Sequence, residues 1–266
     1  MGLFYRKLGK GDKNLVIVHG LYGSSDNWLT VARQLMDLYQ VYIVDQRNHG
    51  QSPHSNMMDY DVMAEDLKEF MSEAQIKSAY LMGHSMGGKT AMCFALKYPD
   101  MVDKLIVVDI APKPYGSNGN YAHITNDHKN IVKALLSVNL KEHTSRSSID
   151  KFLKDKITND MVRSFLLKNI SRGKDGLLQW KLNISAIAEN LDSIMDGFSG
   201  RDELYGEEKE VFFIRGANSA YILEEDMQNV RKFFPSAQLT TIPNAGHWLH
   251  AEQTELFIKT IKYFLD

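Results

Sequence analysis

Ala79-Tyr80-Leu81-Met82-Gly83-His84-Ser85-Met86-Gly87-Gly88 is the stretch on which the reading of the fold turns. Residues 79–83 form a short apolar run that reads as a strand, and residues 87–98 have the apolar spacing of a helix stopped by Pro99. Between them Gly83, Ser85 and Gly87 satisfy the pattern G-x-S-x-G, with the strand before it and the helix after it that the pattern requires. The spacing has a steric cause. A serine on a sharp strand-to-helix turn needs small residues two before and two after it, because the two backbones close on each other there. The turn lifts the hydroxyl clear of the sheet, above a helix start with unpaired N–H groups and a partial positive charge. Ser85 is therefore the expected nucleophile.

On either side of this turn, short apolar runs alternate with helical patterns. Asn14–His19, Val41–Asp45, Ala79–Gly83, Lys104–Ile110, Val211–Ile214 and Gln238–Ile242 read as strands. Asp26–Asp37, Tyr60–Ala74, Gly87–Tyr98, Leu223–Phe234 and Ala251–Leu265 read as helices. Such alternation implies a mostly parallel sheet with helices on both faces, and runs as apolar as VIV, LIVV and VFFI suit strands buried on both sides. The alternation stops between residues 112 and 206, a stretch of polar helical character without clear strands, whose start is marked by Pro112, Pro114, Gly116 and Gly119. The expected organisation is a core formed by residues 1–111 and 207–266, with a helical cap over 112–206 above the carboxyl ends of the strands, where open α/β sheets bind their ligands.

The composition is that of an ordinary globular chain: 266 residues, 44% hydrophobic and 24% charged, with 31 basic against 33 acidic residues. A net charge of −2 gives no basic surface for nucleic acid and no polybasic membrane patch. No apolar run approaches the length of a membrane span, and the first residues are too polar for a signal peptide, so a cytoplasmic location is expected. Cys93 is the single cysteine, which excludes an intramolecular disulfide and fits a small core residue of the helix after Ser85.

Serine is a weak nucleophile without a base in hydrogen-bond reach. His247, in Asn244-Ala245-Gly246-His247, follows the last strand and precedes the last helix, which puts it above the carboxyl edge of the sheet. Its rival His250 falls at the helix start, His84 lies inside the turn, and His49 reads as a structural loop residue. His19-Gly20-Leu21, after the first long strand, is the expected opposite wall. The backbone N–H groups of Leu21 and Met86 would form an oxyanion hole, with Gly20 letting the chain pass close to the substrate and the Leu21 side chain lining the pocket. Trp180-Lys181-Leu182-Asn183 is a further candidate for the pocket wall, with core packing equally open.

Ser85 in GHSMGG, His19-Gly20, Asp45-x-Arg47-x-His49-Gly50-x-Ser52 and Gly246-His247 together resemble the α/β-hydrolase superfamily. HGLYGSSDNW, DQRNHGQSPH, VVDIAPKPY and RGANSAY are similar more narrowly to the YbfF-type esterases, which are related to the mitochondrial hydrolases called α/β-hydrolase domain-containing protein 11. The resemblance implies hydrolysis of short-chain aryl and alkyl esters, and in some members of acyl-CoA thioesters; the expected substrates are esters with short to medium acyl chains, and a serine mechanism without a metal-ligand cluster needs no metal or cofactor. It also frames the acid. The usual family position is Gly-x-x-Asp after the strand VFFIRG, and this chain has Gly216-Ala217-Asn218-Ser219 there. Branches that place the acid one strand earlier would use Asp109, which would orient His247; Glu224, Glu225 and Asp226 are the rivals.

The partner implied is a small-molecule ester or thioester, with no nucleic acid, no membrane span and no particular oligomeric state. A carbon–carbon hydrolase or menaquinone-pathway lyase on the same triad, and a non-catalytic ligand-binding protein on the same scaffold, are the competing expectations.

Overall fold

The computed structural model describes residues 1–116, 121–198 and 204–266. The chain begins with β1 (Tyr5–Leu8), β2 (Lys13–Val18), α1 (Leu29–Leu35), β3 (Tyr39–Val44), α2 (Tyr60–Glu73), β4 (Ala79–His84), α3 (Met86–Lys97) and β5 (Val102–Val108). Then come α4 (Ala122–Leu136), α5 (Arg146–Leu153), α6 (Asp160–Leu167), β6 (Ile170–Arg172), β7 (Leu178–Trp180), α7 (Ile184–Glu189) and α8 (Leu191–Met195). β8 (Glu210–Gly216), α9 (Met227–Val230), β9 (Gln238–Ile242), α10 (Leu249–Glu252) and α11 (Thr254–Leu265) complete it.

Seven strands form one sheet in the order β1-β3-β2-β4-β5-β8-β9, parallel throughout except for β1, which runs antiparallel to β3. Both faces are covered. Leu15, Ile17, Ile106, Val108 and Ile214 pack on the side of α1 and α11, while Val16, Val18, Leu105, Val107 and Phe213 pack on the side of α2 and α3. That two-sided burial is why the strands read as unbroken apolar runs instead of alternating ones. The register sets Val18 beside Gly83, Gly83 beside Val107, and Val108 beside Ile214. The residues after β2, β4 and β5 therefore leave the sheet side by side along one edge. The chain leaves β2 for β3 on one side and returns to β4 on the other, so a crevice opens at that reversal.

Several elements differ from the sequence reading. β1 was not anticipated, because Tyr5-Arg6-Lys7-Leu8 is polar and half exposed and becomes a strand by pairing with β3 at the sheet edge. The stretch expected to lack strands contains the hairpin β6–β7, whose three-residue arms are too short for a period-two pattern. Its turn closes through Gly173 N–H donating to Leu177 C=O at 2.8 Å, with Gly176 at φ 79°. The helix expected over Leu223–Phe234 is a 3₁₀ turn at Glu224–Asp226 followed by the four residues of α9. The last helix begins earlier, at Leu249, and breaks at Gln253, where φ is −132°. Gly119, named above as a mark of the cap's start, lies outside the described residues. Cys93 is fully buried in α3.

The turn between β4 and α3 is strained. Ser85 sits at φ 53°, ψ −123°, a region that costs a non-glycine residue about 1–3 kcal/mol. Burying one large aliphatic side chain contributes about 1.5–3 kcal/mol, and β2, β4 and β5 together bury many, so sheet packing easily holds the turn in place. A Cβ on Gly87 would stand 2.3 Å from Val18 C=O and 2.4 Å from His19 C=O, both rigid backbone. Gly87→Ala should therefore lower Tm by roughly 5–10 °C, as expected of about 3 kcal/mol in a chain of this size, or prevent folding. A thermal melt indistinguishable from the parent's would contradict this account of the turn.

Candidate active site

Ser85, Asp109 and His247 follow β4, β5 and β9, and the parallel register brings them into one line. His247 Nε2 is 3.0 Å from Ser85 Oγ, and His247 Nδ1 is 2.7 Å from Asp109 Oδ2. A carboxylate only accepts, so Nδ1 carries the proton and Nε2 keeps its lone pair toward the serine hydroxyl. Asp109 is fully buried at φ 53°. Its Oδ1 accepts from Gly216 N–H at 3.0 Å, and its Oδ2 also accepts from the Ser219 hydroxyl. The serine standing at the usual acid position thus meets the carboxylate that stands one strand earlier. Asp226 instead accepts from Lys113 Nζ at 2.5 Å and from Leu223 N–H at 2.8 Å; Glu224 and Glu225 are not buried. Of these four acids, Asp109 is the one within reach of His247.

Gly20 runs against the strained turn: a Cβ there would lie 3.0 Å from both Ser85 Cβ and His84 Nδ1. Met86 is the first residue of α3 and so has no intrahelical acceptor for its N–H. Among the described residues no backbone acceptor engages the Leu21 or Met86 amide. The loop carrying Gly20 and Leu21 is fixed by neutral imidazoles. His19 Nδ1 donates to Gly20 C=O at 2.8 Å and its Nε2 accepts from Gln46 N–H at 3.0 Å. His49 Nε2 accepts from Tyr22 N–H at 3.1 Å. Burial lowers the pKa of His19 and pushes that of His49 down to about 3. Arg47, from the same loop as His49, forms a buried two-pronged ion pair with Asp66 of α2 at 2.6 and 2.8 Å. The motif from Asp45 to Ser52 is thus the scaffold of the opposite wall.

His84 holds His247 from behind, and His250 packs in turn against His84. His84 Nε2–H donates to His247 C=O at 2.8 Å, and burial drives the His84 pKa well down. His250 stacks on Trp28 with centroids 4.3 Å apart, and burial takes its pKa down to about 3.

A cavity of about 230 Å³ opens over Ser85. Leu21, Trp28, Ile131, Val162, Phe165 and Trp248 make most of its wall apolar. Tyr221 stacks face to face on His247, with centroids 3.8 Å apart at 16°. Sequence reasoning missed Phe165, Tyr221 and Trp248; adjacency to His247 was the available signal for Trp248 and the motif RGANSAY, which Tyr221 ends, the signal for Tyr221, while nothing marked Phe165. Trp180 lies in β7, away from this cavity, while its neighbour Asn183 docks its N–H on Asn48 C=O at 3.0 Å.

The sequence profile described as the alpha/beta hydrolase fold matches residues 13–254. The chain is 36% identical over 268 residues to "sn-1-specific diacylglycerol lipase ABHD11" of Danio rerio, covering 97% of this chain and 80% of that one. It is 32% identical over 252 residues to "Esterase YbfF" of Escherichia coli (strain K12), covering 95% and 92%. The solved structure of a "Marine microorganism esterase" superposes with a TM-score of 0.93 at 46% identity, over 99% of both chains. Among the described residues no helix is long and apolar enough to cross a membrane. The chain belongs to the α/β-hydrolase fold family, in the branch of YbfF and ABHD11.

Proposed function

We propose that this carboxylic ester hydrolase cleaves small-molecule esters, with acyl-CoA thioesters within its range, through an acyl-enzyme on Ser85. The observation that carries the reading is the Ser85–His247–Asp109 line, with its 3.0 and 2.7 Å contacts. His247 Nε2 takes the hydroxyl proton as Ser85 Oγ attacks the carbonyl carbon, and then returns it to the leaving alcohol or thiol. Asp109 holds the imidazole tautomer and balances the imidazolium. The Leu21 and Met86 amides stabilise the oxyanion, where preorganised donors contribute most to rate. Water, activated by the same imidazole, releases the acid. Residues 112–206 act as a lid: Ile131, Val162 and Phe165 come from it and roof the cavity. At about 230 Å³ the cavity is smaller than the roughly 300–1,000 Å³ of sites for drug-sized ligands, which supports short to medium acyl chains.

Ser85→Ala should reduce ester turnover by about 10³-fold or more, with the residue due to the oxyanion hole and binding, and leave the thermal melt intact. Hydrolysis of p-nitrophenyl butyrate by the variant at the parental rate would defeat the assignment, and a parent with no turnover above background would admit the reading of a non-catalytic binder. Mass spectrometry after a fluorophosphonate probe supplies the second readout, with the adduct expected on Ser85.

The four acids separate in one assay series. Asp109→Asn should cost roughly 10⁴-fold, because an amide favours the wrong imidazole tautomer and cannot balance its charge. Glu224→Gln, Glu225→Gln and Asp226→Asn should each cost less than about tenfold, since Glu224 and Glu225 are exposed and Asp226 is engaged by Lys113 and Leu223 N–H instead of His247. The reverse ranking would move the acid to the 224–226 turn.

For pH, the buried histidines matter through what they do not do. With pKa values near 3 for His49 and His250 and near 4 for His128, they take no proton between about pH 5 and 9. An acid limb in kcat/KM over that range therefore does not come from these three, and a histidine general base at Ser85 predicts that kcat/KM rises with pH to a plateau. Stability moves with the same sign. These groups bind protons near 6.5 when unfolded but not when folded, so their neutral burial is fully tolerated above about pH 6.5. Each costs about 1.4 kcal/mol per pH unit below it. Circular dichroism alongside the kinetics should show the activity limb preceding unfolding; a flat kcat/KM from about pH 5 to 9 would exclude a histidine base.

A further inference from the structure

The cavity over Ser85 is apolar on most of its wall, yet two polar atoms of its lining residues are buried without a hydrogen-bonding partner among the described residues: the Tyr22 hydroxyl and His128 Nδ1. Leaving such a group unpaired is unfavourable. Neither residue is loosely held. Tyr22 sits at φ 61° beside Leu21, its N–H on His49 Nε2 at 3.1 Å and its C=O accepting from Asn169 Nδ2 at 2.8 Å. His49 and Asn169 are themselves buried. His128, on α4, is fixed through Nε2, 3.2 Å from the hydroxyl of Tyr221, whose ring stacks on His247. The Tyr22 and His128 rings are 5.7 Å apart.

Burial takes the His128 pKa down to about 4, so the ring is neutral at pH 7. In the tautomer whose Nε2 accepts the Tyr221 O–H, the ring proton is on Nδ1. Two donors, one beside Leu21 and one on α4, then belong to residues that line an apolar cavity also holding the reacting serine.

We propose that Tyr22 and His128 form an oxygen-acceptor subsite that selects esters carrying a second oxygen, in an ether, carbonyl or hydroxyl group, besides the ester that Ser85 attacks. The proposal rests on the reading of Ser85 as the nucleophile. A substrate with oxygen at that place pairs both donors; a hydrocarbon of the same shape leaves both unpaired, which is how a polar subsite rejects an isostere.

The test uses matched pairs that differ by CH₂ against O. On the acyl side these are p-nitrophenyl butyrate and p-nitrophenyl methoxyacetate; on the alcohol side, butyl butyrate and 2-methoxyethyl butyrate. The quantity read is the kcat/KM of the oxygen member over that of the hydrocarbon member, each divided by its hydroxide-catalysed rate, so that general losses in a variant cancel. The parent should favour the oxygen member at least tenfold in one pair. Tyr22→Phe and His128→Leu should each bring that ratio close to one, and His128→Asn, whose amide donates from a similar position, should restore it. A parental ratio of one or less in both pairs, or a ratio untouched by Tyr22→Phe and His128→Leu, overturns the subsite while leaving Ser85 in place. Parental turnover of both members by Ser85→Ala would overturn the nucleophile reading and the subsite with it.

Discussion

The Asp109 carboxylate is the constraint on which the site hangs. It is fully buried, and an isolated buried charge costs several kcal/mol. The cost is offset locally by three donors: His247 Nδ1, Gly216 N–H and the Ser219 hydroxyl. Those donors come from the end of β8, the loop after it and the loop after β9. Satisfying the one charge therefore draws together three chain segments. Asp109 N–H in turn donates to Ile214 C=O at 2.8 Å, and Ser85 N–H donates to Val108 C=O at 2.9 Å, so each reacting residue is pinned to the neighbouring strand's end. The position of His247 over Ser85 follows from strand register more than from any property of the histidine.

Strain and neutrality divide the remaining work. Tyr22, Asn48, Ser85 and Asp109 all adopt positive φ, and all four lie at or beside the sheet's carboxyl edge. Each such conformation costs on the order of 1–3 kcal/mol and is held only because its surroundings over-determine it. Neutral imidazoles are part of those surroundings. His19, His49 and His84 each join backbone groups of different loops, and burial keeps them uncharged. A lysine in their place would bring an uncompensated charge, and an amide would lack the reach of a ring that presents nitrogens on two sides. Several of the nine histidines are thus structural, which is why choosing among them by residue type alone would have failed.

What the sequence discloses depends on how far apart the interacting residues are. The turn around Ser85 is a short-range object, set by glycine spacing between an apolar run and a helical one, and it is read from ten residues. His247 needed the strand order only in outline. Asp109 was reachable through a departure: Ser219 in place of a carboxylate forced the acid to be sought elsewhere, and the two side chains turn out to touch. β1 was invisible because partnership with β3, and not apolarity, makes it a strand. The cavity wall was invisible for a related reason. Tyr22, His128, Phe165 and Tyr221 are scattered over some two hundred positions, share no periodicity, and meet only after α4, α6 and the β8–α9 loop have packed.

That packing makes the wall of the cavity a joint product of two chain regions. Asn169 donates from the segment after α6 to Tyr22 C=O at 2.8 Å, and Asn190 Nδ2 donates to Asn56 C=O at 2.7 Å. Lys113 is held by Asp226, and Tyr60 of α2 donates to Ile194 C=O at 2.5 Å. Four polar ties of this kind, each contributing about 0.5–1.5 kcal/mol net and more where charge is involved, exceed what a loosely docked flap would keep. One of them reaches the backbone of the residue next to the Leu21 amide. A displacement of the segment after α6 would therefore shift Tyr22, and with it the neighbouring Leu21, in the wall facing Ser85. The shape of the pocket and the alignment of the wall facing Ser85 are coupled through that single amide–carbonyl bond.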